Sequence, residues 1–198
     1  MPWWYHVVES KHELQNPTSP EKIRRLGQSM ALTPSSRVLD VGAGRGGPAV
    51  ILAQAFGCRI TCVERAQEFI EVARARVEEL RLRDLIEIVE ADGRQYSAEP
   101  GTYDAAMCLG ASFIWDGLGG TLRALTPVVK PNGFVAVGEP YWRTWPLPEG
   151  YERDEGENFV TLLQTIGRFE AAGLTVVGLI DASLDDWDRY QSLHWLAG

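Results

Sequence analysis

The chain has 198 residues, and only three of them are cysteines and three histidines. Cys58, Cys62 and Cys108 are odd in number and lie within or beside apolar runs, which argues against a disulfide framework and for reduced, buried thiols. Cys58 and Cys62 have no His or Cys partners at ligand spacing, so no metal site is predicted. Basic residues are also scarce. The 19 Lys and Arg against 27 Asp and Glu leave a formal net charge of −8, which lacks the footprint for gripping a phosphate backbone and speaks against a nucleic-acid partner. No apolar run has the length of a membrane span, and residues 1–16 show no basic stretch followed by an apolar one. The expectation is a cytoplasmic protein with neither membrane anchor nor export signal. Internal repeats, low-complexity tracts and charge blocks are missing too, which excludes solenoids and charged tails. What remains is 45% hydrophobic and 23% charged, at a length that suits one domain with a substantial core.

Strand-like and helix-like segments alternate along it. Thr18-Ser19-Pro20-Glu21 reads as a helix start, with Thr18 and Glu21 as a capping box, and the helix runs to about Leu32. A first strand, Arg37 to Val41, feeds a glycine turn and a helix closed by Gly57. Cys58 to Val63 is a second strand ending at Glu64, and Ala66 to Leu82 has its apolar residues at helical spacing. Leu85 to Val89 is a third strand, Tyr103 to Leu109 a fourth. A helix over Leu118 to Val129 leads to the turn Lys130-Pro131-Asn132-Gly133 and a fifth strand, Phe134 to Val137. A helix near Glu157 to Ala171 is capped by Gly173, a sixth strand covers Leu174 to Ile180, and Ser183 to Leu196 is a helix with Leu184, Trp187, Tyr190 and Leu193 on one stripe. This alternation predicts an α/β fold, a doubly wound, mainly parallel Rossmann-like sheet.

The most informative stretch is Arg37-Val38-Leu39-Asp40-Val41-Gly42-Ala43-Gly44-Arg45-Gly46-Gly47. Glycines 42, 44 and 47 satisfy G-x-G-x-x-G, so the backbone can turn sharply and present helix N-terminal N–H groups to a nucleotide-like ligand. Asp40, two residues before the first glycine, would repel a pyrophosphate but attract a cationic amino-acid group, which favours S-adenosylmethionine over a dinucleotide. Further acids stand at successive strand ends. Glu64 lies 22 positions after Gly42, where a carboxylate takes ribose hydroxyls, and Asp92 is placed to accept from an adenine amino group. Any one of them could be a solvated loop carboxylate; their joint placement carries the argument.

On these motifs the chain resembles the class I S-adenosylmethionine-dependent methyltransferases, from about Thr18 to Ile180. Val38 to Gly47 resembles the first motif, Cys62-Val63-Glu64 the ribose acid, Glu90-Ala91-Asp92-Gly93 the adenine-side loop, and Val129 to Phe134 the turn before strand five. Within that family the chain looks most like small-molecule enzymes related to the quinone-ring methyltransferases. The resemblance implies that Asp40, Gly42, Ala43, Gly44 and Gly47 hold the methionine part of S-adenosylmethionine. It assigns Glu64 with Arg65 to the ribose side, Asp92 and Gly93 to the adenine, and Leu109 and Gly110 to a place beneath the methionine part. In that family the N-terminal segment approaches the cofactor, which draws attention to His12, Asn16 and Pro17 and makes residues 1–32 a lid.

Methyl transfer from a sulfonium needs alignment more than a base. If the acceptor is a phenol, thiol or acidic carbon, His6, His12 and Glu139 are candidate bases. Trp115, Tyr141 and Trp142 follow strands four and five, where aromatic faces could shape the acceptor or simply pack the loops. Trp3 and Trp4 could close the pocket or serve a homo-oligomer contact. The family's seventh, antiparallel strand beside the sixth has no counterpart, so either the chain is part of a longer one or a sheet edge needs cover. Competing readings are a nicotinamide enzyme, disfavoured by Asp40; a protein or nucleic-acid methyltransferase, disfavoured by acidity and by Leu109-Gly110-Ala111-Ser112 where an Asn-Pro-Pro-Tyr-like segment would stand; and a cofactor-binding module without catalysis.

Overall fold

A single helical turn, α1 (Tyr5–Val8), is followed by the first long helix, α2 (Pro20–Ser29), in a computed structural model that describes residues 4–152 and 158–197. Ser19, not Thr18, caps α2: its hydroxyl accepts from the Lys22 N–H at 3.3 Å, so the capping box expected of Thr18 and Glu21 does not form. Proline in the first turn fits either start, which is why spacing alone misplaced the cap by one residue. The helix also ends earlier than expected, with Met30 as its C-cap.

β1 (Arg37–Val41) is buried along all but its first residue and leads into α3 (Gly47–Phe56); β2 (Arg59–Glu64) and α4 (Gln67–Glu79) repeat the unit, and β3 (Ile86–Glu90) closes that half of the sheet. β4 (Tyr103–Leu109), α5 (Leu118–Leu125) and β5 (Val129–Gly138) build the other half. All pairs are parallel, in the order β3-β2-β1-β4-β5, and the order reverses between β1 and β4. Ligands of such sheets collect outside the carboxyl ends of the strands at that switch point. Lys130 to Gly133 is not a free turn but an irregularity within β5. Tyr103 pairs with Val129 and Ala105 with Phe134, so the intervening residues bulge out, with Asn132 at φ 64°.

The two faces of the sheet bury separate cores. One contains Val38, Ile60, Met107 and the inner faces of α2 and α3; the other contains Leu39, Val41, Ala106, Cys108 and Leu125. Cys58, Cys62 and Cys108 are free and buried in these layers. Burial pushes the Cys58 thiol up to about 11 and that of Cys108 to about 12.

Beyond β5 the two expected helices form but the sixth strand does not. Leu174 to Ile180 forms no strand; Leu174 and Ile180 are half-buried, and the apolar side chains between them are exposed, Val177 at 69% and Leu179 at 56%. β-branched residues supply propensity, but a strand also needs a neighbour to pair with, and none lies beside this segment among the described residues. α6 (Leu162–Ala171) starts at a capping box of Thr161 and Gln164, five residues after Glu157, which lies outside the described residues. α7 (Leu184–Ala197) docks by an unexpected face. Leu184 and Trp187 of the proposed apolar stripe are exposed, whereas its Tyr190 faces the body together with Asp186 and His194, each one turn apart. The Asp186 carboxyl is bound by Lys22 of α2, Ser183 and Arg189, and although burial opposes ionisation these partners hold it well below the usual carboxylate range.

Candidate functional site

At the carboxyl ends of β1, β2 and β4 the sheet opens into a cleft of about 340 Å³. Asp40, Gly42, Ala43, Gly44, Gly47, Glu64, Arg65, Asp92, Gly93, Leu109 and Gly110 all line it, so the structure brings together every residue the resemblance assigns to the cofactor.

The two acids nearest the glycine turn differ in their surroundings. Glu64 ends β2, and its carboxylate is used as a scaffold: Oε2 accepts from the Gly44 N–H at 2.9 Å, and Oε1 from the N–H groups of Arg65 at 2.8 Å and Ala66 at 2.9 Å. One side chain thereby fixes the glycine turn relative to the start of α4. Asp40 has no such support. It is 2% exposed, its Oδ2 has no hydrogen-bond partner, and burial, aided by the Glu64 charge, pushes its carboxyl up to about 7. A buried, unsatisfied acid opening on a cleft suits a ligand that brings a positive charge and N–H donors. This residue set therefore fits an amino-acid sulfonium such as S-adenosylmethionine. Asp92, by contrast, is partly exposed and its carboxyl is held below the usual range by the Arg94 N–H at 2.9 Å and the Arg65 guanidinium at 3.3 Å.

The far wall of the cleft comes from the N-terminal segment, and glycines make room for it. A Cβ at Gly44 would stand 2.1 Å from Gln15 Oε1, and one at Gly110 would stand 1.9 Å from Asn16 Oδ1. Gln15 Oε1 accepts from the Arg45 N–H at 2.8 Å, and Asn16 Nδ2 donates to the Leu109 carbonyl at 3.0 Å. The Arg45 guanidinium, given no role from sequence, binds the carbonyls of Glu9 and Ser10 and so ties the segment down. Glu13, Gln15, Phe69, Arg94, Phe113 and Ile114 line the cleft and were not singled out from sequence.

The candidates for acceptor chemistry are scattered. His12 does not line the cleft; it is 2% exposed, with Nε2 donating to the Tyr190 carbonyl at 2.9 Å, so a base role at the acceptor does not match its place. The side chain of His6 lies outside the described residues, as does Trp3. Trp115 packs against the core layer of Leu39 and Leu125 without lining the cleft; Ile114 touches both that layer and the cleft, and Phe113 lines the cleft. The short 3-10 turn Ser112–Trp115 rotates successive side chains by about a third of a turn, which sequence spacing does not reveal. Trp142 is held in its loop by a Val160 carbonyl at 2.8 Å and stacks edge-on against Tyr151 at 5.2 Å. Tyr141 beside it is half-buried, and neither lines the cleft. Glu139 follows Gly138, whose carbonyl accepts from the Gly110 N–H at 3.1 Å. Its Oε2 is buried without a partner, and burial pushes its carboxyl up.

Comparison with known proteins agrees with this geometry. A family profile described as a methyltransferase domain matches residues 38–133. The chain is 32% identical to the uncharacterised Escherichia coli (strain K12) protein YjhP, over 99% of this chain and 80% of YjhP. It also superposes on a SAM-dependent methyltransferase from Thiobacillus denitrificans, crystallised with S-adenosyl-L-homocysteine, with a TM-score of 0.91 and 32% identity over 100% of this chain and 81% of that one. A glycine/sarcosine/dimethylglycine N-methyltransferase from Actinopolyspora halophila is 27% identical over 89% of this chain, which spans only 31% of that enzyme.

Proposed function

This chain belongs to the S-adenosylmethionine-dependent methyltransferases, and from that premise we propose that its acceptor is a small molecule and that the turn after β4, residues 110–114, borders the acceptor's path, with Glu139 behind it. The observation that carries the cofactor side is Asp40, buried and unsatisfied at the switch point of the sheet. S-adenosylmethionine supplies an electrophilic methyl on a cationic sulfur. Asp40 offers the counter-charge, and the Gly42 to Gly47 backbone lets the ligand approach closely. The N-terminal segment supplies the opposite wall through Gln15 and Asn16, which supports reading residues 1–32 as a lid on a single domain. Alignment of donor and acceptor in that enclosed cleft provides much of the rate.

Glu139 does not line the cleft, but burial raises its basicity and it directly follows Gly138, which is bonded to the cleft residue Gly110, so it is the proposed proton acceptor where the reaction needs one. A small acceptor is supported by the cleft's size and by the net charge of −8, which disfavours a nucleic acid. No described helix is long and apolar enough to cross a membrane, and three buried thiols suit the reducing cytoplasm. Trp4, at 49% exposure, leaves a contact with a second copy open to sedimentation.

Calorimetry with S-adenosylmethionine, S-adenosylhomocysteine and NAD tests the cofactor half, with preference for NAD as the refuting result. A labelled methyl donor incubated with small-molecule extract tests the acceptor half. Label in a low-molecular-weight product is expected; label only in protein or RNA would refute it.

A further inference from the structure

We propose that Glu9, His12 and His194 form a site for one divalent transition-metal ion of the Zn2+ type, which staples the N-terminal segment to α7. One ligand atom from each residue lies within 4.8 Å of the others, and Glu9 and His12 are almost wholly buried. The third ligand is 185 residues from the first, so no spacing rule applied to the sequence could find the group.

His12 Nε2 lies 2.9 Å from the Tyr190 carbonyl oxygen, which can only accept, so Nε2 carries a proton and Nδ1 is the ring nitrogen that turns inward. That Nδ1 faces Glu9 Oε2 at 3.4 Å, and both atoms are buried without a hydrogen-bond partner. The other carboxylate oxygen is well served: Oε1 accepts from the Tyr190 hydroxyl at 3.0 Å and lies 2.9 Å from His194 Nε2. Whenever Nδ1 bears no proton these are two acceptors facing each other in a dry interior, which is costly, and a metal cation between them converts both into ligands.

The geometry suits a small ion. A separation of 3.4 Å is about the edge of a tetrahedron whose metal–ligand bonds are roughly 2.0–2.1 Å. Two imidazoles and a carboxylate favour Zn2+ and its first-row neighbours over Mg2+ or Ca2+, which prefer oxygen. The His12 Nε2–H to carbonyl bond is the outer contact that commonly orients a metal-bound imidazole. The His194 side chain is 24% exposed, which provides an entry path. His194 binds as its Nδ1–H tautomer, giving up the Nε2 proton through solvent as the ion enters.

Neither Glu9 nor His12 lines the cofactor cleft, so the ion touches no reacting atom. Its role is to hold the segment that runs on to Glu13, Gln15 and Asn16, which do line it.

The test uses tag-free protein stripped with a chelator and titrated with Zn2+ by calorimetry, with bound metal counted by mass spectrometry. One equivalent per chain is expected, with a rise in melting temperature that Mg2+ does not give. His194→Gln, at the partly exposed corner, should keep the circular-dichroism spectrum and weaken Zn2+ binding about 100-fold or more. Stripped wild-type protein that takes up no Zn2+ would overturn the site and leave a proton on His12 Nδ1 as the filler of the gap. Equal Zn2+ binding by folded His194→Gln would overturn it as well. The wild-type stoichiometry stands independently of whether any variant folds.

Discussion

The two sides of the cleft are built on different plans. The cofactor side, at the ends of β1, β2 and β3, consists of buried strand ends and one glycine turn whose backbone is bonded to Glu64. The side beyond β4 and β5 consists of loops with exposed aromatic residues, Phe113 at 57% and Trp145 at 55% among them. The first plan gives a rigid, pre-formed surface for an invariant ligand; the second leaves specificity to loops, which can change without disturbing the core.

The largest effect that would break this contrast is expected at Glu64. Glu64→Ala leaves three backbone N–H groups without their acceptor, so it should cost about 3 kcal/mol of stability as well as cofactor binding. Thermal unfolding and calorimetry with S-adenosylhomocysteine check both; unchanged stability would mean that the turn holds itself. On the loop side, Glu139→Gln should lower kcat about 100-fold, or about 2.7 kcal/mol of barrier, with cofactor affinity unchanged. Equal turnover of the variant at saturating acceptor would remove Glu139 from the proton path.

Asp40 sharpens the comparison within the cofactor side itself. Asp40→Asn should weaken cofactor binding by about 1–3 kcal/mol, the cost of a lost charged contact, while leaving the fold intact. Its pH dependence has a definite sign. The folded-state carboxyl is raised from 3.8 to about 7, so its contribution to stability is fully present below pH 3.8 and is lost as pH rises through about 7. Affinity for a cationic ligand should run the other way and increase through that range, because the ionised acid binds it. Urea unfolding and calorimetry across this window should show opposite slopes in the wild type, and both should flatten in Asp40→Asn. Parallel slopes would show that another group governs the cleft.

How much of this was legible in the sequence follows from how far apart the cooperating residues lie. The glycine turn, Asp40, Glu64 and the Asp92 loop each follow directly from a strand, so local spacing located them and the parallel sheet gathered them. The N-terminal wall was only partly legible. Asn16 drew notice by resemblance, whereas Gln15 meets Gly44 through a contact 30 residues long in the chain, to Arg45. α7 misled in part because its stripe of Leu184, Trp187, Tyr190 and Leu193 suggested apolar docking, whereas of these Tyr190 reaches the body through its hydroxyl and the helix is otherwise held by Asp186 and His194, all three with partners more than 160 residues away. The expected sixth strand had the right residue types and no neighbour, a condition that propensity does not encode.

The smallest expected effect concerns Trp142, for which acceptor binding and loop packing were equal alternatives. The indole Nε1 is buried without a hydrogen-bond partner, so the ring contributes packing against Tyr151 and Phe159 and its N–H contributes nothing favourable. Trp142→Phe removes that unsatisfied donor and some contact area, two changes of opposite sign, and stability should move by no more than about 0.5 kcal/mol. Turnover should be equally insensitive, since the residue does not line the cleft. Measured kcat/KM for the acceptor in Trp142→Phe and in Phe113→Ala places the boundary of the acceptor site. A loss confined to Phe113→Ala sets it at the turn after β4, whereas a comparable loss in Trp142→Phe would extend it to the loop after β5 and show that this loop closes over the acceptor during turnover.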